Sequence, residues 1–227
     1  MLNKSEQQKT HSYYRLIGWC LIALSILANA GMAHHPHISA AQPEAQMEQM
    51  AQIAGLTMHV HGLLILVVLI YVWLFILYGA AKNTAIVWLG SSLFAAGGLA
   101  MAGAALISGF LAPAMVLGAE IDTAEQVAIF KFQSRLMMQS NQVLANAGAF
   151  GWLCALICWS SNLVRDNNLF RWVGLTGLLI GSISVFVMAS GNWVLNVKGM
   201  SLFVLVLTIW FFALGSCLLW STRGKKN

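Results

Sequence analysis

Apolar residues run along this chain in six long blocks, at roughly 14–33, 57–78, 85–112, 141–161, 170–195 and 200–221. Within the blocks the residues do not alternate apolar with polar, as a half-buried strand would. The only charged side chains inside them, Arg15 and Arg171, each lie one residue from a block's start. A lipid hydrocarbon core is about 30 Å thick and takes roughly 20 apolar residues of helix to cross. Every backbone N–H and C=O inside it must be satisfied within the protein, which for unbroken apolar runs means helix. The pattern therefore predicts an all-α, polytopic membrane helix bundle of six transmembrane helices. It forms a single membrane domain over residues 1–227, with a polar tail at 1–13.

Two connections are long, 34–56 and 113–140, and both read as amphipathic segments on the outer side. In the first, Pro43 and the acidic residues Glu44 and Glu48 suit the opening turns of a helix. Met47, Met50, Ala54, Thr57 and His61 then follow at steps of three and four, so they share one face of a helix running on into the second span. In the second, Thr123 precedes Gln126 by three residues, a capping-box signature that starts a helix feeding the fourth span. Asn83-x4-Trp88-x-Gly90 and Gly97 are matched, 84 residues on, by Asn167-x4-Trp172-x-Gly174 and Gly181. This is a faint internal repeat of two hairpins, helices 2–3 and 4–5. Small residues at Ser92, Ala96, Ala100, Ala104 and Ser108, and the Gly177-x3-Gly181 pair, predict tight helix seams.

Composition agrees with the pattern and adds an orientation. Hydrophobic residues make up 59% and charged ones 8%, with mean hydropathy +0.75, where a soluble domain carries about 25% charged residues. With the N-terminus inside, Lys4, Lys9, Arg15, Lys82, Arg165, Arg171, Arg223, Lys225 and Lys226 are internal, and only Lys131, Arg135 and Lys198 are external. Cytoplasmic loops hold the excess of Lys and Arg. Both termini are thus expected in the cytoplasm of a bacterial-type inner membrane, and the net charge of +5 reflects topology, with no nucleic-acid partner implied. The first block also carries a signal-peptide reading, since Ala28-Asn29-Ala30 and Gly31-Met32-Ala33 are small-x-small cleavage patterns. The spanning reading is preferred because 14–33 is long enough to cross.

Candidate chemistry collects on the outer side. All six histidines lie in the first 61 residues, and His34, His35, His37, His59 and His61 fall near the outer face with Met32, Met47, Met50 and Met58. Imidazole binds copper, zinc and haem iron, and thioether sulfur favours Cu(I). His59 and His61 stand about 200° apart on a regular helix, so they cannot share a ligand. His61, on the Met47–Met50 stripe, is the expected inward histidine, with Met58 beside it at three residues. Ser108, Asn146, Met188, Ser190 and Asn192 lie at comparable depth and predict a polar layer, serving a ligand or interhelical hydrogen bonds alone. Cys20, Cys154, Cys158 and Cys217 lie in the inner halves of their spans and read as small packing residues. No phosphate-binding loop, zinc-protease or serine-nucleophile motif occurs, and no carboxylate lies inside a block.

The run Met58-His59-Val60-His61-Gly62, continued by an apolar helix to Tyr78-Gly79, resembles the His-x-His helix of membrane proteins related to the haem-bearing subunit of haem-copper oxidases. The resemblance covers one helix and implies haem or copper ligation by His59 or His61, with Met188 or Met101 as an axial partner. No histidine follows His61, so the further histidines of an oxidase centre are missing. The expected function is binding of a metal or haem at the periplasmic face, in metal handling or respiratory assembly, with haem or copper as cofactor. A small-molecule or metal-ion transporter and an accessory structural subunit are the alternatives. Partners would be the lipid bilayer and a second membrane protein or another copy of the chain.

Overall fold

The computed structural model describes residues 4–36, 43–119, 123–166 and 169–223. The chain forms α1 (Lys4–Ala33), α2 (Pro43–Lys82), α3 (Ala85–Leu106), a π turn (Ile107–Leu111), α4 (Ala112–Leu117), α5 (Ala124–Leu163), α6 (Leu169–Ala189) and α7 (Val197–Ser221). No strand occurs among the described residues. Six helical segments are long and apolar enough to cross a membrane, with α3, the π turn and α4 acting as one of them. The protein is a six-helix, multi-pass membrane bundle. Its antiparallel crossings leave the start of α1 and the end of α7 on one face, with Lys82 and Asp166. The loops after α1, α4 and α6 lie at the other.

Within the two predicted amphipathic segments, residues 43–56 and 124–140 are helical extensions of spans. Pro43 is the first residue of α2, and α2 and α5 are each 40 residues long, or about 60 Å at 1.5 Å per residue. Each therefore exceeds the roughly 30 Å hydrocarbon core by half its length. The capping box is present: Thr123 Oγ1 accepts from Gln126 N–H at 3.2 Å, and Gln126 Oε1 accepts from Thr123 N–H at 2.9 Å. Equal helix lengths fit the two-hairpin repeat. Repeat-equivalent Lys82 and Asp166, 84 residues apart, join as an ion pair at 2.8 Å.

Three expectations need correction. The fifth span stops at Ala189, short of the expected 195. Gly191 has φ 74°, its N–H bonds Met188 C=O at 3.0 Å, and Asn192 N–H bonds Val187 C=O at 3.2 Å. That paired bonding is a Schellman termination, which needs a residue tolerant of left-handed backbone. The third span bends through the π turn and does not end at 112. Pro113 has no N–H to offer the carbonyl of Gly109, and its ring crowds that carbonyl. The wider turn just before it, with Ala112 N–H bonding Ile107 C=O, relieves the conflict. Finally, of the predicted α3 stripe Ala104 is buried and Ala100 and Ser108 half-buried, but Ser92 and Ala96 are exposed. The close seam runs instead along Gly90 and Gly97, where an added Cβ would lie 2.7 Å from Trp159 Nε1 and from Gly148 C=O. Glycine admits a closer approach than alanine or serine, leaving room for indoles from α5. The Gly177–Gly181 seam is present, against Ser160 and Ile157 of α5.

Neighbours succeed one another in the order α1, α2, α3, α5, α6, α7, and α7 returns to α1. Aromatic rings fill the centre. Phe75 stacks on Trp159 with centroids 3.8 Å apart, and Phe94 stacks on Trp152 at 4.6 Å. Trp152 and Trp210 donate to Phe94 C=O and Val173 C=O at 3.1 and 2.9 Å. Lipid tails are as apolar as these side chains, so contact density and such hydrogen bonds hold the helices together. The aromatic centre leaves His35, His59 and His61 towards the end of the bundle opposite the Lys82–Asp166 pair.

Candidate metal centre

The end of α1 and the N-terminal half of α2 bring two imidazoles together. After Ala33 the chain turns, with His34 N–H bonding Ala30 C=O and His35 N–H bonding Met32 C=O, both at 3.2 Å. This leaves His35 half-buried against the bundle. On α2 the predicted stripe faces inward: Met47 and Met50 are half-buried, and Ala54, Thr57 and His61 are buried. His61 is only 4% exposed, whereas His59 is exposed and turns its Nδ1 back to Gly55 C=O at 2.6 Å.

The Nε2 atoms of His35 and His61 stand 3.2 Å apart, with ring centroids 4.8 Å apart and planes at 66°. The other nitrogen of each ring faces a backbone carbonyl. His61 Nδ1 lies 2.8 Å from Thr57 C=O, and His35 Nδ1 lies 2.9 Å from Pro36 C=O. A carbonyl only accepts, so each Nδ1 carries its ring's proton when the imidazole is neutral. The two Nε2 atoms lie within hydrogen-bond range of one another, and with both rings in the Nδ1–H form they could share a proton or a metal ion. Metal-ligating histidines characteristically donate the remote N–H to a carbonyl or carboxylate, fixing tautomer and ring orientation. Both rings have that arrangement.

The π turn closes the site from the third span. A Cβ on Gly109 would overlap Cβ and Cγ of His61 and lie 3.2 Å from its Cδ2. Pro113 thus shapes the site indirectly: it forces the wide turn, and the wide turn lays Gly109 on His61. π bulges recur at functional sites for this kind of reason. Nothing in the helical periodicity announced Gly109, though the Gly-x3-Pro spacing was available as a signal. The specific partnership of His35 with His61 also lay beyond sequence, since it depends on how the end of α1 packs on α2.

The remaining predicted residues stand apart from the pair. His34 is exposed and holds Ala30 C=O with Nδ1 at 2.9 Å. Met58 is 38% exposed. His37 lies outside the described residues. Met188 packs half-buried against the hydrophobic core, and Met101 is buried within it. The polar layer does not converge on one point. Ser108, in the π turn, is half-buried and donates to Ala104 C=O at 3.0 Å. Asn146 is exposed and accepts from Gln142 at 3.2 Å, and exposed Asn192 donates to exposed Ser190 Oγ at 2.8 Å. Each of these hydrogen bonds is made within its own segment. The four cysteines are free thiols, only Cys217 of them buried. Among the described residues no three His, Cys, Asp or Glu side chains gather in metal-binding geometry. The chain matches no family model, no curated protein and no solved structure.

Proposed function

We propose that this membrane protein binds a transition-metal ion through His35 and His61 at its periplasmic face, in metal handling or respiratory assembly. Its termini lie in the cytoplasm of a bacterial-type inner membrane, as the distribution of Lys and Arg favours. One observation carries the reading: the two Nε2 atoms stand 3.2 Å apart while both Nδ1 atoms face backbone carbonyls. The oxidase-like His-x-His helix implied either copper or haem, with His59 or His61 as ligand. Axial histidines on opposite faces of a haem stand about 4 Å apart, twice an Fe–N bond of about 2 Å. The shorter separation here favours a bare ion held by His61 and His35.

The test is metal content after equilibration. Purified protein in detergent is dialysed against Zn²⁺, and bound metal is measured by mass spectrometry in the wild type, His35→Ala, His61→Ala and the double variant. One tightly held ion per wild-type chain, lost from each variant, is expected. Equal metal content in the wild type and the double variant would remove the proposal.

A further inference from the structure

We infer that a second copy of this chain docks along one exposed face of α5, pairing the two α5 helices in parallel. Phe132, Leu136, Gln139, Val143, Asn146 and Phe150 follow one another on that helix at alternating steps of four and three, and all six are exposed. That alternation is the seam of a two-stranded coiled coil. Phe132 is 69% exposed and Val143 66%, so neither ring nor branch finds cover in its own chain. The stripe is ~27 Å long at the rise of a regular helix.

Lipid alone does not suit this face. Phe132 lies ~13 Å along the helix before the fourth apolar block begins at 141. The headgroup layer on each side of the hydrocarbon is only ~5–8 Å deep, so an open phenyl ring stands in water. Within the block the mismatch reverses. Asn146 lies ~7 Å past its start, by the same rise, and is exposed. Its Oδ1 accepts from Gln142 of its own helix, but an amide also carries two N–H donors. Lipid tails accept no hydrogen bond, and polar groups in a span turn to protein partners. One helix face is thus too apolar above the membrane and too polar within it for a chain standing alone.

A second copy meets both demands. Two copies inserted the same way round share a two-fold axis along the membrane normal, so their α5 helices run parallel and each seam residue faces its twin. Such a seam has to be complementary to itself. Gln139 and Asn146 each carry donors and an acceptor and can bond their own twins, as amides do between membrane helices. The other four seam residues are apolar. Lys131 and Arg135 each precede a seam residue by one and are turned ~100° from it. The seam also has defined ends. Glu125, one heptad before Phe132, would set a carboxylate against its twin. Leu153, the next in step after Phe150, is buried in its own bundle.

Cross-linking of the full chain in its membrane tests the seam. Cys20, Cys154, Cys158 and Cys217 are replaced by alanine, and one cysteine is placed on the seam by Leu136→Cys or Val143→Cys. The control is Met138→Cys, 71% exposed but ~140° round the helix from Val143. With a short bis-maleimide, both seam variants are expected to give a species of twice the chain mass, and the control at least fivefold less. Adding Leu136→Glu to Val143→Cys should lower the yield at least fivefold. Leu136 is exposed and outside the apolar block, so insertion and helix content, read by circular dichroism, should not change. No doubled species from either seam variant, equal yields on and off the seam, or a yield unaffected by Leu136→Glu would overturn the inference. Cross-linking of the seam cysteines to a different protein in place of a second copy would overturn it as well.

Discussion

Adding one methyl group at Gly109 probes the link between the π turn and the histidine pair. The added Cβ of Gly109→Ala would overlap Cβ and Cγ of His61. Both partners sit close to their backbones, so neither can swing aside. Either the π turn lifts from α2 or the imidazole is displaced. Overpacking of this kind costs about 1–3 kcal/mol. Ligand atoms tolerate only about 0.5 Å of displacement from productive geometry. Losing the support of a metal-ligating histidine typically costs 10–100-fold in affinity, equivalent to about 1.4–2.7 kcal/mol. Zn²⁺ affinity by competition with a chromophoric chelator, and thermal unfolding of the metal-free protein, give the two readouts. Gly55→Ala is the control, since nothing lies within 4 Å of a Cβ there. In mid-helix that change should stabilise by about 0.5–1 kcal/mol and leave Zn²⁺ affinity unchanged. Wild-type stability together with wild-type affinity in Gly109→Ala would refute the reasoning.

Other outcomes follow from the same structure. His61→Ala should abolish Zn²⁺ binding while His59→Ala stays within about twofold of wild type (~0.4 kcal/mol), because His59 is exposed and bonded to its own helix; the reverse order would place the site elsewhere. Phe75→Ala, removing a fully buried ring that stacks on Trp159, should lower unfolding stability by about 3–5 kcal/mol, read by denaturation in mixed micelles. Asp166→Asn should cost less than about 1 kcal/mol, and less at high salt, because the Asp166 side chain is 37% exposed. A reporter active only in the cytoplasm should work when fused after Asn227, and one active only in the periplasm should stay silent.

Helix number and class were legible because lipid imposes length and backbone satisfaction on any span, and six apolar blocks display both. The inward turn of His61 was legible too. Helical spacing ties it to Met47, Met50, Ala54 and Thr57, and the two-residue step sends His59 to the other side. Termination at Gly191 was hidden by the apolar residues that follow in 193–195, which kept the block looking continuous. The first half of the α3 seam was misassigned at Ser92 and Ala96, because a stripe of small residues looks like an interface, whereas the indoles of Trp152 and Trp159 require the deeper clearance of Gly97 and Gly90. The candidate site was half readable. Histidines and methionines gathered in the first 61 residues suggested metal ligation. Which of His34, His35 and His37 meets His61 depends on the turn after Ala33, and the role of Gly109 depends on a non-α turn created by Pro113.

Imidazole ¹⁵N resonances of His35 and His61, followed during Zn²⁺ titration, report the central claim directly, because they show which nitrogen bears the proton and which binds metal. In protein labelled at histidine, both residues are expected to carry the proton on Nδ1 before metal is added. On titration both Nε2 resonances should shift together and saturate at one equivalent of Zn²⁺, with His59 unchanged. A proton found on Nε2 of either ring before metal, with no shift of either resonance through excess Zn²⁺, would contradict the account.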